Sequence, residues 1–264
     1  MASEYSTAIG GSNEAFLKTQ WTVIDAARTM DPARRMGIVA RLAGQYWKPV
    51  YAYLRHKGMG SEDAKDLTQD FFAGVVMEGE LIEKADRSKG RFRNFLLTAL
   101  NHFATSDYRK KNAQFRRPKG GLFPLEAMRN GALALPAEDA SPDEAFTYEW
   151  AAQLIGEVLR EVEAWCRQAG QQKHWEVFRR TVVEPAFLGT RAPALAELCQ
   201  ELKVADAKTA SNMTMTVKRR FRSILREKVR QLVRSEEDVE DEIRDLMQIL
   251  SRFGAAGQSA RRTE

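Results

Sequence analysis

Apolar positions recur at helical spacing along most of the chain and alternate at strand spacing almost nowhere. Phe16, Trp21, Ile24 and Ala27 begin a helical period that stops near Asp31-Pro32. Ile38, Leu42, Trp47, Val50, Tyr51 and Leu54 carry a second, with Pro49 as a kink. After the Gly58-Met-Gly60 turn, Ser61 is expected to cap a helix over 61–77, with acids in its first turn where the dipole favours them. A helix over 91–111 buries Phe92, Phe95, Leu96, Ala99, Leu100 and Phe103. The stretch 113–143 lacks sustained periodicity and reads as a flexible linker.

Periodicity resumes at Phe146, Trp150, Leu154, Val158, Leu159, Val162 and Trp165. Trp175, Phe178 and Val182 mark a further helix that should stop before Pro185. A short helix over 194–202, a long one over about 207–233 and a last one over 238–253 complete the pattern. The last carries Val239, Ile243, Leu246, Leu250 and Phe253 at helical spacing. The spacing predicts an all-α protein of two helical domains, 14–112 and 144–233, with a disordered N-terminus over 1–13 and an acidic C-terminal helix and tail over 234–264.

Charge adds segregation to this picture. Lys and Arg number 41 against 36 Asp and Glu, a net charge of +5. Cations crowd 109–119 and 208–234, whereas acids crowd 236–245. Such blocks suit a polyanion partner, although solvated helix faces account for the same composition. Cys166 and Cys199 are far apart and lack metal-ligand spacing, so they read as reduced thiols. No apolar run reaches membrane-spanning length and no secretory signal is evident, so a cytoplasmic location is expected.

Two neighbouring helices carry the clearest surface pattern. On 61–77, Asp63, Asp66 and Asp70 share one face, beside an apolar stripe of Ala64, Phe71 and Val75 with Leu67 at the seam. An acidic stripe of this kind suits docking onto a basic helix, and it equally describes an ordinary solvated face. On 91–111, Asn94, Thr98, Asn101, Thr105 and Arg109 oppose the apolar stripe, with His102 at the edge. Amides and hydroxyls reach base edges, and cations neutralise phosphates. The preceding Asp86-Arg-Ser-Lys-Gly-Arg91 loop could hold an unstacked base.

In the second half, the 194–202 helix, the Lys203-Val-Ala-Asp206 turn and the helix from Ala207 have the lengths of a helix-turn-helix, with Lys203 where a glycine is usual. Lys208, Thr209, Ser211 and Asn212 open the second helix, followed by Lys218, Arg219, Arg220 and Arg222. N-terminal residues of such a helix read bases and the later cations hold phosphates. Catalytic patterns are missing: His56, His102 and His174 are isolated, and there is no HExxH, P-loop, GxGxxG or Gly-x-Ser-x-Gly. No enzyme activity and no cofactor or metal is expected.

Tyr46-Trp-Lys-Pro-Val-Tyr-Ala-Tyr-Leu-Arg55, Glu62-Asp-Ala-Lys-Asp-Leu-Thr-Gln-Asp-Phe-Phe72 and Gly90-Arg-Phe-Arg-Asn-Phe-Leu-Leu-Thr-Ala-Leu100 resemble region 2 of bacterial extracytoplasmic-function (group IV) sigma factors of the sigma-70 family. Residues 194–229 are similar to their region 4. The Phe-Phe and Gly-Arg-Phe-Arg variants resemble a planctomycete-type subgroup, which tends to carry an acidic C-terminal helix like Glu240-Asp-Glu-Ile-Arg-Asp-Leu-Met247. The resemblance implies that Asp63, Asp66, Leu67, Gln69, Asp70 and Phe71 bind the β′ subunit of core RNA polymerase. It implies that Lys89, Arg91, Phe92, Arg93, Asn94, Thr98, Asn101, His102, Arg109 and Lys110 melt and read the −10 promoter element, capturing a flipped base. Lys208, Thr209, Ser211, Asn212, Lys218, Arg219 and Arg222 would read the −35 element. The linker would thread the polymerase near its active-site channel and RNA exit path.

The chain departs from the common family pattern at Phe95, His102 and Ser211-Asn-Met213, and it has an insertion-like loop over 184–193. The expected partners are the β′ and β subunits of core polymerase and promoter DNA, with no membrane. An anti-sigma factor is a further candidate, as is the C-terminal helix itself, folding onto the cations of 208–234 to hold region 4 off DNA. A polymerase-independent helix-turn-helix regulator and a helical interaction protein with no nucleic-acid role are the competing expectations.

Overall fold

The computed structural model describes residues 31–76, 91–111, 140–233 and 235–260. Every regular element among them is helical, so the all-α expectation holds. The first predicted helix (16–27), the loop before Arg91 and most of the predicted linker lie outside the described residues.

Helix α1 spans Pro32–His56 with Pro49 inside it, buried. Gly58, at φ 90°, turns the chain into α2, Ser61–Asp70, which runs on through a π-helical turn, Phe71–Val76. The Ser61 expectation needs correction: the N-cap is Gly60, with no side-chain cap. Ser61 is the first helical residue, and its hydroxyl lies 3.1 Å from the Tyr51 hydroxyl of α1. Helix α3 is Phe92–Lys111 and α4 is Pro142–Gln168.

Helix α4 starts earlier than the apolar pattern indicates. Ser141 accepts a bond from the Glu144 N–H, the Glu144 carboxylate accepts from the Ser141 N–H, and Pro142 occupies the first turn. This capping box fixes the helix start within what the sequence assigns to linker.

Helix α5, Gln172–Phe178, continues through a π turn, Arg179–Val183, into α6, Glu184–Leu188. The predicted stop before Pro185 is thus corrected. The π turn shifts the register, so that Pro185 falls in the first turn of a new segment, where its missing N–H costs little. Gly189, at φ 64°, ends that segment. Then come α7, Leu195–Leu202, α8, Ala207–Arg230, and α9, Asp238–Ala260.

Helix α4 is central: α1, α5, α8 and α9 all pack on it. Val158, Val162 and Cys166 are fully enclosed there, and the α1 residues Val50 and Leu54 are equally inaccessible. Residues from before and after the predicted linker belong to one apolar core, from Leu42 through Phe71 and Leu100 to Val229 and Leu246. The packing therefore marks no boundary between the two expected bodies. A second, smaller cluster of Val177, Leu198, Cys199, Val204 and Ala210 joins α5, α7 and α8.

Candidate nucleic-acid and protein interface

Helix α2 exposes what its charge pattern promises. Asp63 and Asp66 are exposed, while Gln69 and Asp70 are half-buried. Glu62 pairs with Lys65 at 2.7 Å, an i,i+3 contact on the same surface. Leu67 and Phe71, expected among the partner-contacting residues, are instead fully enclosed. Phe71 meets Phe72 and Phe103 edge to face, at centroid distances of 5.3 and 5.5 Å. Both residues support the acidic face from behind, because their apolar surface is already spent on the core.

Helix α3 divides as its period requires. Leu96 and Leu100 are buried, whereas Asn94, Thr98, Asn101, His102 and Thr105 are exposed. The Asn101 amide oxygen accepts from the Tyr53 hydroxyl at 3.1 Å and from Lys57 Nζ at 2.9 Å, both on or beside α1. Thr98 and Thr105 hydroxyls donate to the carbonyls of Asn94 and Asn101 one turn back. Lys89 lies outside the described residues, and so do the side chains of Arg109 and Lys110 in the last turn.

At the start of α3 the expectation changes most. Phe92 is 2% exposed, with its ring edge-on to Tyr46 at 5.7 Å. Arg93 is 8% exposed, with its guanidinium 4.8 Å from the centroid of the Trp150 ring on α4. Neither is a surface residue in this conformation, although the resemblance assigns both to DNA. The acidic helix α9 closes this corner. Arg91 Nη1 lies 2.6 Å from Glu242 Oε2 and 2.7 Å from Asp245 Oδ2, and Arg93 Nη1 lies 2.9 Å from Glu242 Oε1. Burial pushes the Glu242 carboxyl up against the pull of both arginines, and burial likewise lowers Arg93. Desolvation thus outweighs attraction at this pair.

Two other acids of the C-terminal segment reach α8. Glu236 accepts from Arg230 Nε at 2.6 Å, and Glu240 lies 2.9 Å from Arg226. Four carboxylates thus lie on α8 or the start of α3, while Asp241 pairs with Arg244 within α9. Complementary charge was visible in the sequence; the link to Arg91 and Arg93 was not, since no local spacing connects residues so far apart.

Where a helix-turn-helix is expected stand α7, a tight turn and α8. Lys203 adopts φ 53° and ψ 50°, the left-handed conformation in which glycine is favoured. Lys173 Nζ donates to its carbonyl at 3.1 Å. Asp206 caps α8 by accepting from the Thr209 N–H at 2.6 Å, and this bond holds its carboxyl below the usual range. Lys208, Ser211, Asn212, Arg219 and Arg222 are exposed, with Thr209 and Lys218 half-buried, opposite the buried Ala210 and Val217. Arg220 is turned away from this surface, with its guanidinium 5.3 Å from the Trp165 ring centroid.

Among the described residues no cluster of His, Cys, Asp and Glu could hold a metal ion, and no helix is long and apolar enough to cross a membrane. Both cysteines are buried and free, and burial raises the Cys166 thiol. No protein-family model matches the chain, and neither a curated protein nor a solved structure matches it.

Proposed function

We propose that this protein is a sigma factor of the extracytoplasmic-function type: it binds core RNA polymerase and directs it to chosen promoters. In this reading Asp63, Asp66 and Asp70 dock on the β′ subunit, and the polar face of α3 opens and reads the −10 element. The N-terminal half of α8 reads the −35 element in the major groove. The protein acts in the cytoplasm by recruitment and carries no chemistry of its own. The residues before 112 and after 143 act as two functional domains, one at each promoter element.

The observation that carries this reading is the pairing of faces on α2 and α3. Asp63 and Asp66 face solvent on one helix, and Asn94, Thr98 and His102 do so on the next, over a shared apolar backing. A carboxylate face and an amide-rich face backed by one core suit a protein joining a basic partner to nucleic acid. The resemblance of residues 46–100 to sigma region 2 supplies the identity of both partners. Competition tests it: the purified chain should displace another sigma factor from core polymerase. Failure to compete at any concentration would sink the proposal.

A second reading, a polymerase-independent helix-turn-helix regulator, draws on the separate small core behind α8 and its exposed N-terminal residues. It requires tight binding to duplex DNA without polymerase, and it leaves the acidic face of α2 without a task. A gel shift with and without core polymerase separates the two.

A further inference from the structure

The start of α3 presents a contradiction if the protein opens DNA. Arg91 and Arg93 stand where the strand-reading surface begins, yet Arg93 is enclosed and Arg91 is only 28% exposed at its side chain. Glu242 and Asp245 of α9 lie on Arg91, and Glu242 lies on Arg93, whose guanidinium is also backed by the Trp150 ring of α4. Two carboxylates on guanidinium groups make the same kind of contact that phosphate oxygens would make.

The manner of attachment matters. Helix α9 packs on α4 and α8. Val239 and Leu246 are fully buried, and Phe253 meets the Tyr148 ring edge-on at 6.2 Å. Its far end is tied by Arg252 to Glu144, in the first turn of α4. It reaches α3 through contacts from Glu242 and Asp245 to the two arginines; Arg91 Nη1 donates to Asp245 Oδ2 at 2.7 Å, whereas the Arg93 end is poorly made. Arg93 Nη1 is buried without an aligned hydrogen bond, and its Nη2 reaches Glu242 Oε2 only at 3.4 Å. A buried ion pair with imperfect geometry adds little to stability, because desolvation cancels most of the attraction. Such a contact gives way readily to a ligand offering more negative charge.

We propose that α9 is an internal mask for the strand-reading surface: Glu242 and Asp245 hold Arg91 and Arg93 until the phosphates of single-stranded promoter DNA displace them. The inference rests on the sigma-factor reading and adds regulation to it. Masking reduces the apparent affinity for DNA by the fraction of molecules in which the arginines are free. It keeps the unbound protein from engaging nucleic acid indiscriminately, and the melted strand held at the polymerase supplies the competing charge.

The test uses the full-length chain, a fluorescent single-stranded oligonucleotide of about 20 nucleotides, and core polymerase in parallel samples. Three variants are compared with the native protein: Asp245→Asn, Asp245→Asn with Glu242→Gln, and Arg252→Glu. The last repels Glu144 and loosens α9 without touching Arg91 or Arg93, so it guards against misfolding of the double variant. Asp245→Asn and Arg252→Glu should each bind the oligonucleotide about threefold to tenfold more tightly. Their dependence on salt should steepen by about one phosphate contact. Equal binding by native and variant proteins overturns the mask, as does weaker binding with a lowered melting temperature, which would make α9 a brace. If the native chain binds core polymerase while the variants show no gain, the mask fails and the sigma reading stands. If neither native nor variant protein binds oligonucleotide or polymerase, both fail.

Discussion

Arg93 Nη1 lies 2.9 Å from Glu242 Oε1 across 149 positions of sequence, and the Trp150 ring backs the guanidinium at 4.8 Å. This one contact joins the start of α3, the central helix α4 and the C-terminal acidic helix. It also sets apart two kinds of residue within the Gly-Arg-Phe-Arg stretch. Phe92 packs edge-on against Tyr46, whereas the two arginines pair with carboxylates of α9.

The acidic face of α2 should govern polymerase binding. Asp66→Lys with Asp70→Lys should weaken association with core polymerase by on the order of 1–2 kcal/mol, or about tenfold. Helical content should stay unchanged. Equilibrium competition against a labelled sigma factor measures it, and unchanged affinity would remove this face from the docking surface.

Phe71 and Leu67 should behave differently, because they are buried. Phe71→Ala leaves a cavity against Phe72 and Phe103 and should cost about 3–5 kcal/mol of stability. Urea denaturation reads this directly. A loss of polymerase binding with unaltered stability would mean that the ring acts at the surface.

Lys203 holds a left-handed backbone conformation at φ 53°, and it is the one non-glycine residue with positive φ among those described. Lys203→Gly should stabilise the chain by ~0.5–1 kcal/mol, since the Cβ clash disappears. The carbonyl that Lys173 bonds is retained. A lowered thermal midpoint would contradict the assignment of strain at this turn.

Glu149 on α4 is buried, and burial pushes its carboxyl up to about 7, against a smaller opposing effect of Lys48. Between an unfolded value near 4.5 and about 7, the native state keeps a proton that the unfolded chain has released. Stability from this group is therefore full below about 4.5 and declines as pH rises to about 7, by roughly 3 kcal/mol in total. Glu242, also raised by burial, acts in the same direction. Glu149→Gln should flatten much of the decline and raise the melting temperature at pH 8. Parallel melting curves at pH 5, 6, 7 and 8 would expose a failure.

On α8, Asn212 and Arg219 should separate by role. Asn212→Ala should cost about 1–3 kcal/mol on a matched promoter and relax sequence preference. Arg219→Ala should weaken binding to all sequences alike and lower the salt slope by about 0.9. Fluorescence anisotropy with the polymerase complex, across a salt series, distinguishes them.

Helix type and most helix positions were legible in the sequence because single faces are buried. The stripe of Phe92, Leu96 and Leu100 is one example, and the opposition of Val217 to Arg219 is another. The two helices on either side of the 203–206 turn were legible, and so was the unusual place of Lys203. Three features were not read from the pattern. The start of α4 is set by the hydrogen bonds of Ser141 and Glu144, which the Ser-x-x-Glu spacing would have marked. The passage through Pro185 depends on a π turn, which has no periodic signature. The hold of Glu242 on Arg91 and Arg93 is a long-range charge contact, and composition showed only that both signs were present. The burial of Leu67, Phe71 and Phe92 follows from the same logic: a motif names residues that matter, but exposure decides whether they touch a partner or support those that do.

Run-off transcription with purified core polymerase on a library of promoter fragments tests the central claim most directly. The account predicts transcripts from a restricted set of fragments, absent without this protein and lost with the Asp66→Lys, Asp70→Lys variant. A chain that yields no transcripts from any fragment, yet binds duplex DNA tightly without polymerase, would contradict it.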